Sequence, residues 1–124
     1  MPRRFFLAMA GLSGALAVAV DAAATHLLAG DLYRLDLAAT SARYGMIHAA
    51  ALLALALLAE RADGFWLAAA GWCFVAGIAL FCGSLDLLAA GAPHGFAAAA
   101  PWGGTAFIVG WLAVAVAALR AKKA

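Results

Sequence analysis

The chain has 124 residues, of which 69% are hydrophobic and 11% are charged, with a formal net charge of +2. A soluble fold of this length leaves too much of its area in water to hide so much apolar surface, so the composition predicts a protein that lipid covers. Because the net charge is small and no basic patch is interleaved with aromatic residues, the composition also excludes a nucleic-acid partner.

The first predicted element is a transmembrane helix over residues 5–28. Its basic start and the small residues at 22–24 also suit a signal peptide, but the apolar run of about 24 residues is long enough to span a bilayer. Residues 29–43 follow, with apolar side chains at helical spacing and charged ones elsewhere on the wheel. We expect a short amphipathic helix in the membrane interface here, with a plain polar loop as the alternative.

Three more spans are predicted, over residues 44–59, 65–90 and 105–119. A charged turn at 60–64 separates the second span from the third, and two breaks containing Gly and Pro, at 91–95 and 100–104, precede the last span. The sequence therefore predicts a single all-α domain over residues 1–124, an integral membrane four-helix bundle with a short interfacial helix between spans 1 and 2.

The basic residues indicate an orientation for this bundle. With four spans, both termini and the turn at 60–64 share one side of the membrane, which carries six of the basic residues: Arg3, Arg4, Arg61, Arg120, Lys122 and Lys123. The other side carries only Arg34 and Arg43. The excess of Lys and Arg in cytoplasmic segments therefore predicts a multi-pass protein of the cell inner (plasma) membrane with both termini in the cytoplasm.

An ordered set of short motifs runs through nearly the whole chain. The motifs are Gly14–Ala19, Thr25-His26, Arg43-Tyr44-x-x-x-His48, Gly71-Trp72-x-Phe74-x-x-Gly77 with the following Leu80 to Leu85, and Pro101-x-Gly103-Gly104-x-x-Phe107-x-x-Gly110-Trp111. In order and spacing the chain resembles the domain of unknown function 423 family, which includes the small transmembrane protein 256. The resemblance implies a four-span bundle and no assigned chemistry. Asp21, Gly45 and Asp86 depart from the family pattern, which suggests a specialised branch.

The candidate functional residues are polar groups that the predicted topology places in the outer half of the bundle. The set comprises Asp21, His26, Tyr44, His48 and Asp86. A carboxylate inside a membrane usually faces the bundle interior with a partner, so Asp21 and Asp86 indicate either an ion, proton or cofactor site or a hydrogen bond that fastens two helices. The histidines have the chemistry for haem, copper or zinc, but each also suits a hydrogen bond to a backbone carbonyl. We expect at least two of Asp21, His48 and Asp86 to lie inside the bundle within reach of each other.

Three hypotheses about function follow. The first is a non-enzymatic accessory or scaffold subunit that associates with a larger membrane complex, or with itself, through small-residue helix faces. The alternative is a binding or transport protein that holds a metal, haem, quinone or lipid headgroup at the outer polar cluster. The third is a membrane enzyme that uses Asp and His as acid and base, which requires both to converge on one cavity. The sequence specifies no cofactor, and it carries neither a nucleophile motif nor a phosphate loop, so it gives no support to catalysis.

Overall fold

Four long helices make up the protein, which a computed structural model describes over residues 2–59 and 64–121. They are α1 (Arg3–Leu27), α2 (Leu32–Leu58), α3 (Phe65–Ala89) and α4 (Ala100–Arg120), and a 3₁₀ segment at His94–Ala99 leads into α4. Each helix is long and apolar enough to cross a membrane, and the described residues contain no strand. The predicted all-α four-span architecture is therefore confirmed.

The antiparallel pair α1–α2 packs small residues against small residues. On α1 the buried positions Phe6, Ala10, Ser13, Ala17 and Ala24 recur at spacings of three, four and seven residues, which places them on one stripe. A Cβ added to Gly45 would lie 3.3 Å from the Cβ of Ala17, and one on Gly14 would lie 3.6 Å from that of Ala49. The two backbones therefore approach closely, as they do at small-residue contacts between membrane helices.

The predicted interfacial helix between the first two spans is wrong, because α2 is one continuous helix from Leu32 to Leu58. Asp31 begins it: the side-chain Oδ1 accepts a hydrogen bond of 3.1 Å from the backbone N–H of Arg34. Arg34 Nε then donates to the carbonyl oxygen of Ala89 at 2.6 Å, which satisfies an orphan carbonyl at the C-terminal end of α3. The polar first turns of α2 are thus held against the bundle instead of turning into the interface.

This longer second helix changes the depth of two candidate site residues. His48 lies about 24 Å along the axis from Leu32 and about 15 Å from Leu58, so it sits near the middle of the span. Tyr44 is about one turn nearer the Leu32 end of α2, and its ring contacts Phe81 at a centroid distance of 5.0 Å. The prediction that both residues lie near the outer boundary followed from a second span that begins at residue 44.

The third helix contains a π-helical turn at Ile78–Cys82. There the N–H of Gly83 bonds to the carbonyl of Ile78, and the hydroxyl of Ser84 donates to the carbonyl of Phe81 at 2.9 Å. The widened turn shifts the phase of the helix, so Ala79 is exposed while Cys82 is buried.

Helix α4 packs against α3 through aromatic rings that fill glycine notches. A Cβ on Gly77 would clash with the ring of Phe107, and one on Gly110 would lie 2.6 Å from the ring of Phe74. A Cβ on Gly103 would clash with the backbone of Phe81. The break expected at 100–104 is wrong, because Pro101 lies in the first turn of α4, where no backbone N–H is needed. The break expected at 91–95 is present, with Gly91 at φ 100°.

At the end of the bundle where α3 begins and α4 ends, the guanidinium carbon of Arg120 lies 5.8 Å from the ring centroid of Trp66. This contact suits an interfacial aromatic beside a basic helix end. The predicted charged turn at 60–64 lies, except for Gly64, outside the described residues.

Candidate functional site

His48 is buried near the centre of the bundle with both ring nitrogens engaged. Its Nδ1 lies 2.7 Å from the carbonyl oxygen of Tyr44, and its Nε2 lies 3.1 Å from the indole nitrogen of Trp111. Because a carbonyl only accepts and an indole only donates, Nδ1 carries the hydrogen and Nε2 accepts. The ring is therefore neutral with no lone pair left for a metal or haem.

Aromatic rings surround this histidine. The ring of His48 stacks on Phe107 with centroids 3.6 Å apart and meets Phe74 edge-on at 5.3 Å. A cavity of about 280 Å³ lies beside these rings, and its lining also includes Tyr44 and Trp111. Within the part of the chain that the structure describes, no group of three or more His, Cys, Asp or Glu side chains could hold a metal ion. The arrangement at His48 is that of a hydrogen-bonded packing residue joining α2 to α4.

Asp86 lies on α3, one turn beyond the buried Cys82. It is half-buried, and its Oδ1 is enclosed with no hydrogen-bond partner among the described residues. Beneath it, Ser41 and Cys82 exchange hydrogen bonds: the serine hydroxyl donates to the Cys82 carbonyl at 3.3 Å, and the thiol donates to the Ser41 carbonyl at 3.4 Å. Because a buried polar atom without a partner is unfavourable, an additional donor at the Asp86 carboxylate would be stabilising.

Asp86 also faces a cavity between α1, α2 and α3, at the end of the bundle away from both termini, which is the outer end in the predicted topology. This outer cavity has a volume of about 340 Å³ and ten lining residues: Val20, Ala23, Ala24, Leu27, Leu28, Arg34, Ala38, Asp86, Ala89 and Ala90. Its walls are apolar except for one guanidinium, from Arg34, and one carboxylate, from Asp86. Arg34 is not among the site residues predicted from the sequence, because only the fold brings it beside the end of α3.

Asp21 and His26 do not join this site. Both side chains are exposed on α1, and the backbone carbonyl of Asp21 accepts a hydrogen bond of 2.9 Å from the hydroxyl of Thr25. No hydrogen bond or ion pair joins any two of Asp21, His48 and Asp86, all of which lie in the described ranges. His48 and Asp86 face the bundle interior at different depths and Asp21 faces outward, so the expected single polar cluster is not formed.

Four apolar helices around an interior of aromatic and small residues define a small polytopic helical membrane protein. Residues 20–104 match the family described as "Protein of unknown function (DUF423)". The chain therefore belongs to this family, as the order of its motifs predicted.

Its relatives are membrane proteins of similar length. The chain is 36% identical over 121 residues to the UPF0382 membrane protein YwdK of Bacillus subtilis (strain 168), covering 94% of this chain and 98% of that protein. It is 32% identical over 125 residues to the UPF0382 inner membrane protein YgdD of Escherichia coli (strain K12), covering 99% and 95%. A UPF0382 membrane protein of Haemophilus influenzae is 38% identical over 120 residues, covering 94% and 95%. No solved structure matches the chain.

Proposed function

We propose that the protein is a non-catalytic accessory or scaffold subunit that acts by lateral association in the inner membrane, and that a second copy of the chain is its first partner. The observation that carries this proposal is the outward surface of the α1–α2 pair. That surface combines a groove of small side chains with one acidic and one basic side chain, Asp21 and Arg43.

The groove lies where α1 and α2 meet on their outward side. It has a volume of about 240 Å³ and its lining is almost entirely apolar: Leu7, Ala10, Gly11, Ala49, Ala50 and Leu53. A Cβ on Gly11 would meet nothing within 4 Å, so the groove is open at this point. Small residues that leave open space on a membrane helix allow another helix to approach closely.

Two charged side chains extend this same surface toward the outer end. Asp21 is two heptads from the groove residue Leu7, and Arg43 is one heptad from the groove residue Ala50, so each lies close to the face of its groove residue. Both are exposed, and within residues 2–59 and 64–121 neither forms an ion pair. Lipid tails offer a charged group no partner, which favours pairing with another protein surface.

The two charges lie at matching depth. The contact of Gly45 with Ala17 sets the antiparallel register of the two helices and places Arg43 within about 3 Å of the depth of Asp21. In a two-fold dimer about an axis normal to the membrane, each residue pair occurs twice. Asp21 of each copy would then meet Arg43 of the other, while the grooves face each other below.

The test is a charge swap read by site-specific crosslinking and by the mass of the protein in lipid nanodiscs. Asp21→Arg and Arg43→Asp should each reduce the dimer fraction about tenfold, and the double variant should restore it. Asp36→Arg, an exposed acidic residue near the outer end of α2, is the matched control and should leave the dimer intact. A monomeric wild-type protein that the swaps do not affect would contradict self-association.

The orientation of the bundle belongs to the same proposal: both termini face the cytoplasm. The support is the distribution of Lys and Arg along the sequence. A membrane-impermeant maleimide applied from outside should label His94→Cys in intact cells and should not label Ala121→Cys until the membrane is opened. The reverse pattern would overturn the orientation.

The alternative function is binding or transport at a polar cluster. His48 does not support a metal or haem as the ligand, because both of its ring nitrogens are in hydrogen bonds. A lipid headgroup is different, because Asp86 and Arg34 share a cavity that no described side chain fills.

A further inference from the structure

The outer cavity holds two opposite charges that do not satisfy each other. Arg34 and Asp86 both line it, yet no ion pair joins these two described side chains. Asp86 Oδ1 is enclosed without a donor. Arg34 donates to the carbonyl oxygen of Ala89 through its Nε. A guanidinium has five N–H donors in all, so the other N–H groups remain for a ligand. The cavity therefore offers an acceptor and several donors about one helical turn apart.

The remaining walls are apolar and come largely from α1. Val20, Ala23 and Leu27 line this side, and both Ala23 and Leu27 are exposed where the cavity opens outward. The volume of about 340 Å³ falls within the range of small-ligand sites, about 300–1,000 Å³. An occupant that fits these walls is amphipathic, with a polar end inside and a hydrocarbon part that leaves across α1.

We propose that the outer cavity binds the headgroup of a phospholipid that carries a primary amine, of the phosphatidylethanolamine class. Arg34 binds the phosphate, and the ammonium group donates to the Asp86 carboxylate on the side that lines the cavity. The acyl chains leave over Ala23 and Leu27 into the bilayer. Phosphate pairs well with a guanidinium, and a charge-assisted hydrogen bond to a carboxylate is stronger than a neutral one.

This proposal does not depend on self-association. Val20 and Leu27 lie about 100–120° around α1 from Asp21, so the outer cavity and the groove occupy different flanks of the helix. Asp36→Asn is the matched control: it removes an exposed carboxylate of α2 that does not line the cavity.

The experiment measures phospholipid bound per protomer by native mass spectrometry of the full chain released from nanodiscs. The probes are phosphatidylethanolamine, its N-methyl and N,N-dimethyl forms, phosphatidylcholine and phosphatidylglycerol, each mixed equally with a reference lipid. Wild-type protein should prefer phosphatidylethanolamine over phosphatidylcholine by about tenfold, because the trimethylated amine cannot donate to Asp86. Asp86→Asn and Arg34→Gln should lose this preference, and Asp36→Asn should keep it.

The methylation series needs no variant, so the proposal stays testable if Asp86→Asn fails to fold. Affinity should fall as N–H groups are replaced by methyl groups. Equal binding of phosphatidylethanolamine and phosphatidylcholine would overturn the proposal, as would tighter binding of phosphatidylglycerol, which lacks the amine. An unchanged preference in Asp86→Asn would also overturn it.

Discussion

The two helix pairs of the bundle are built in different ways. The α1–α2 pair brings backbones together through alanine, glycine and serine, as where Gly45 meets Ala17. The α3–α4 pair instead sets large rings into glycine notches, as where Phe107 covers Gly77. Rings in notches fix the position of one helix on another, because a displaced ring has no space to enter. A surface of small residues is smoother and makes fewer position-specific contacts.

Each pair has one helix that is mostly exposed. In the most apolar window, 22% of α1 and 22% of the helical segment His94–Arg120 are buried inside the protein, against 50% for α2 and 39% for α3. Helices α1 and α4 therefore both present most of their surface to lipid or to another protein, and α1 also carries the exposed Asp21. We infer that the α3–α4 pair, with the aromatic cluster at His48, supplies rigidity, and that the α1–α2 pair supplies the surface for association.

The largest effect should come from filling the tightest notch. In Gly103→Ala the new Cβ would clash with the backbone of Phe81, which cannot rotate away, so we expect a loss of about 3 kcal/mol in the free energy of unfolding. Gly104→Ala is the matched control, since its Cβ would lie 3.9 Å from the Phe81 ring. Unfolding in detergent–dodecyl sulfate mixtures, followed by tryptophan fluorescence, measures both. Equal stability of the two variants would show that α4 shifts freely on α3.

The next effect concerns the hydrogen bond between helices at His48. His48→Phe keeps a ring against Phe107 but leaves the indole N–H of Trp111 without its acceptor, so we expect a loss of about 2 kcal/mol. Trp111→Phe removes the same bond from the other side. In the double variant the losses should not add, because one interaction is removed in both. Additive losses would mean that the bond contributes little.

The sequence predicts the number of spans correctly, but it does not predict where α2 begins or the π-helical turn within α3. About 20 apolar residues must cross the bilayer, and that requirement is local, so four spans are visible in the composition alone. The start of α2 depends on a long-range contact, because Arg34 donates a hydrogen bond to the carbonyl oxygen of Ala89, 55 residues away in the chain. The π-helical turn at Ile78–Cys82 likewise has no clear sequence signal. The longer α2 moves His48 toward the middle of its span and away from the depth of Asp86, which is why the predicted cluster does not form.

A smaller effect is expected in the α1–α2 pair. In Gly45→Ala the added Cβ would lie 3.3 Å from the Cβ of Ala17, so one backbone must give by a few tenths of an ångström. We expect a loss of about 1 kcal/mol in the same unfolding assay. Gly83→Ala, whose Cβ would meet nothing within 4 Å, should be neutral or slightly stabilising. A loss at Gly45 as large as that at Gly103 would remove the distinction between the two modes of packing.

Substitution of Gly11 should have the smallest effect on the free energy of unfolding and a large effect on the dimer fraction. A Cβ there meets nothing within 4 Å, and the neighbouring groove of about 240 Å³ leaves room for a larger side chain, so Gly11→Leu should change the free energy of unfolding by less than about 0.5 kcal/mol. The same leucine would fill the groove into which the second copy packs, so the dimer fraction should fall. Ala19→Leu places a leucine on an exposed position of a different face of α1 and should leave the dimer unchanged. Crosslinking yield in nanodiscs reports association, and unfolding reports stability. If Gly11→Leu dimerises as well as the wild type, the groove is a lipid-facing surface and the charges at Asp21 and Arg43 serve another contact.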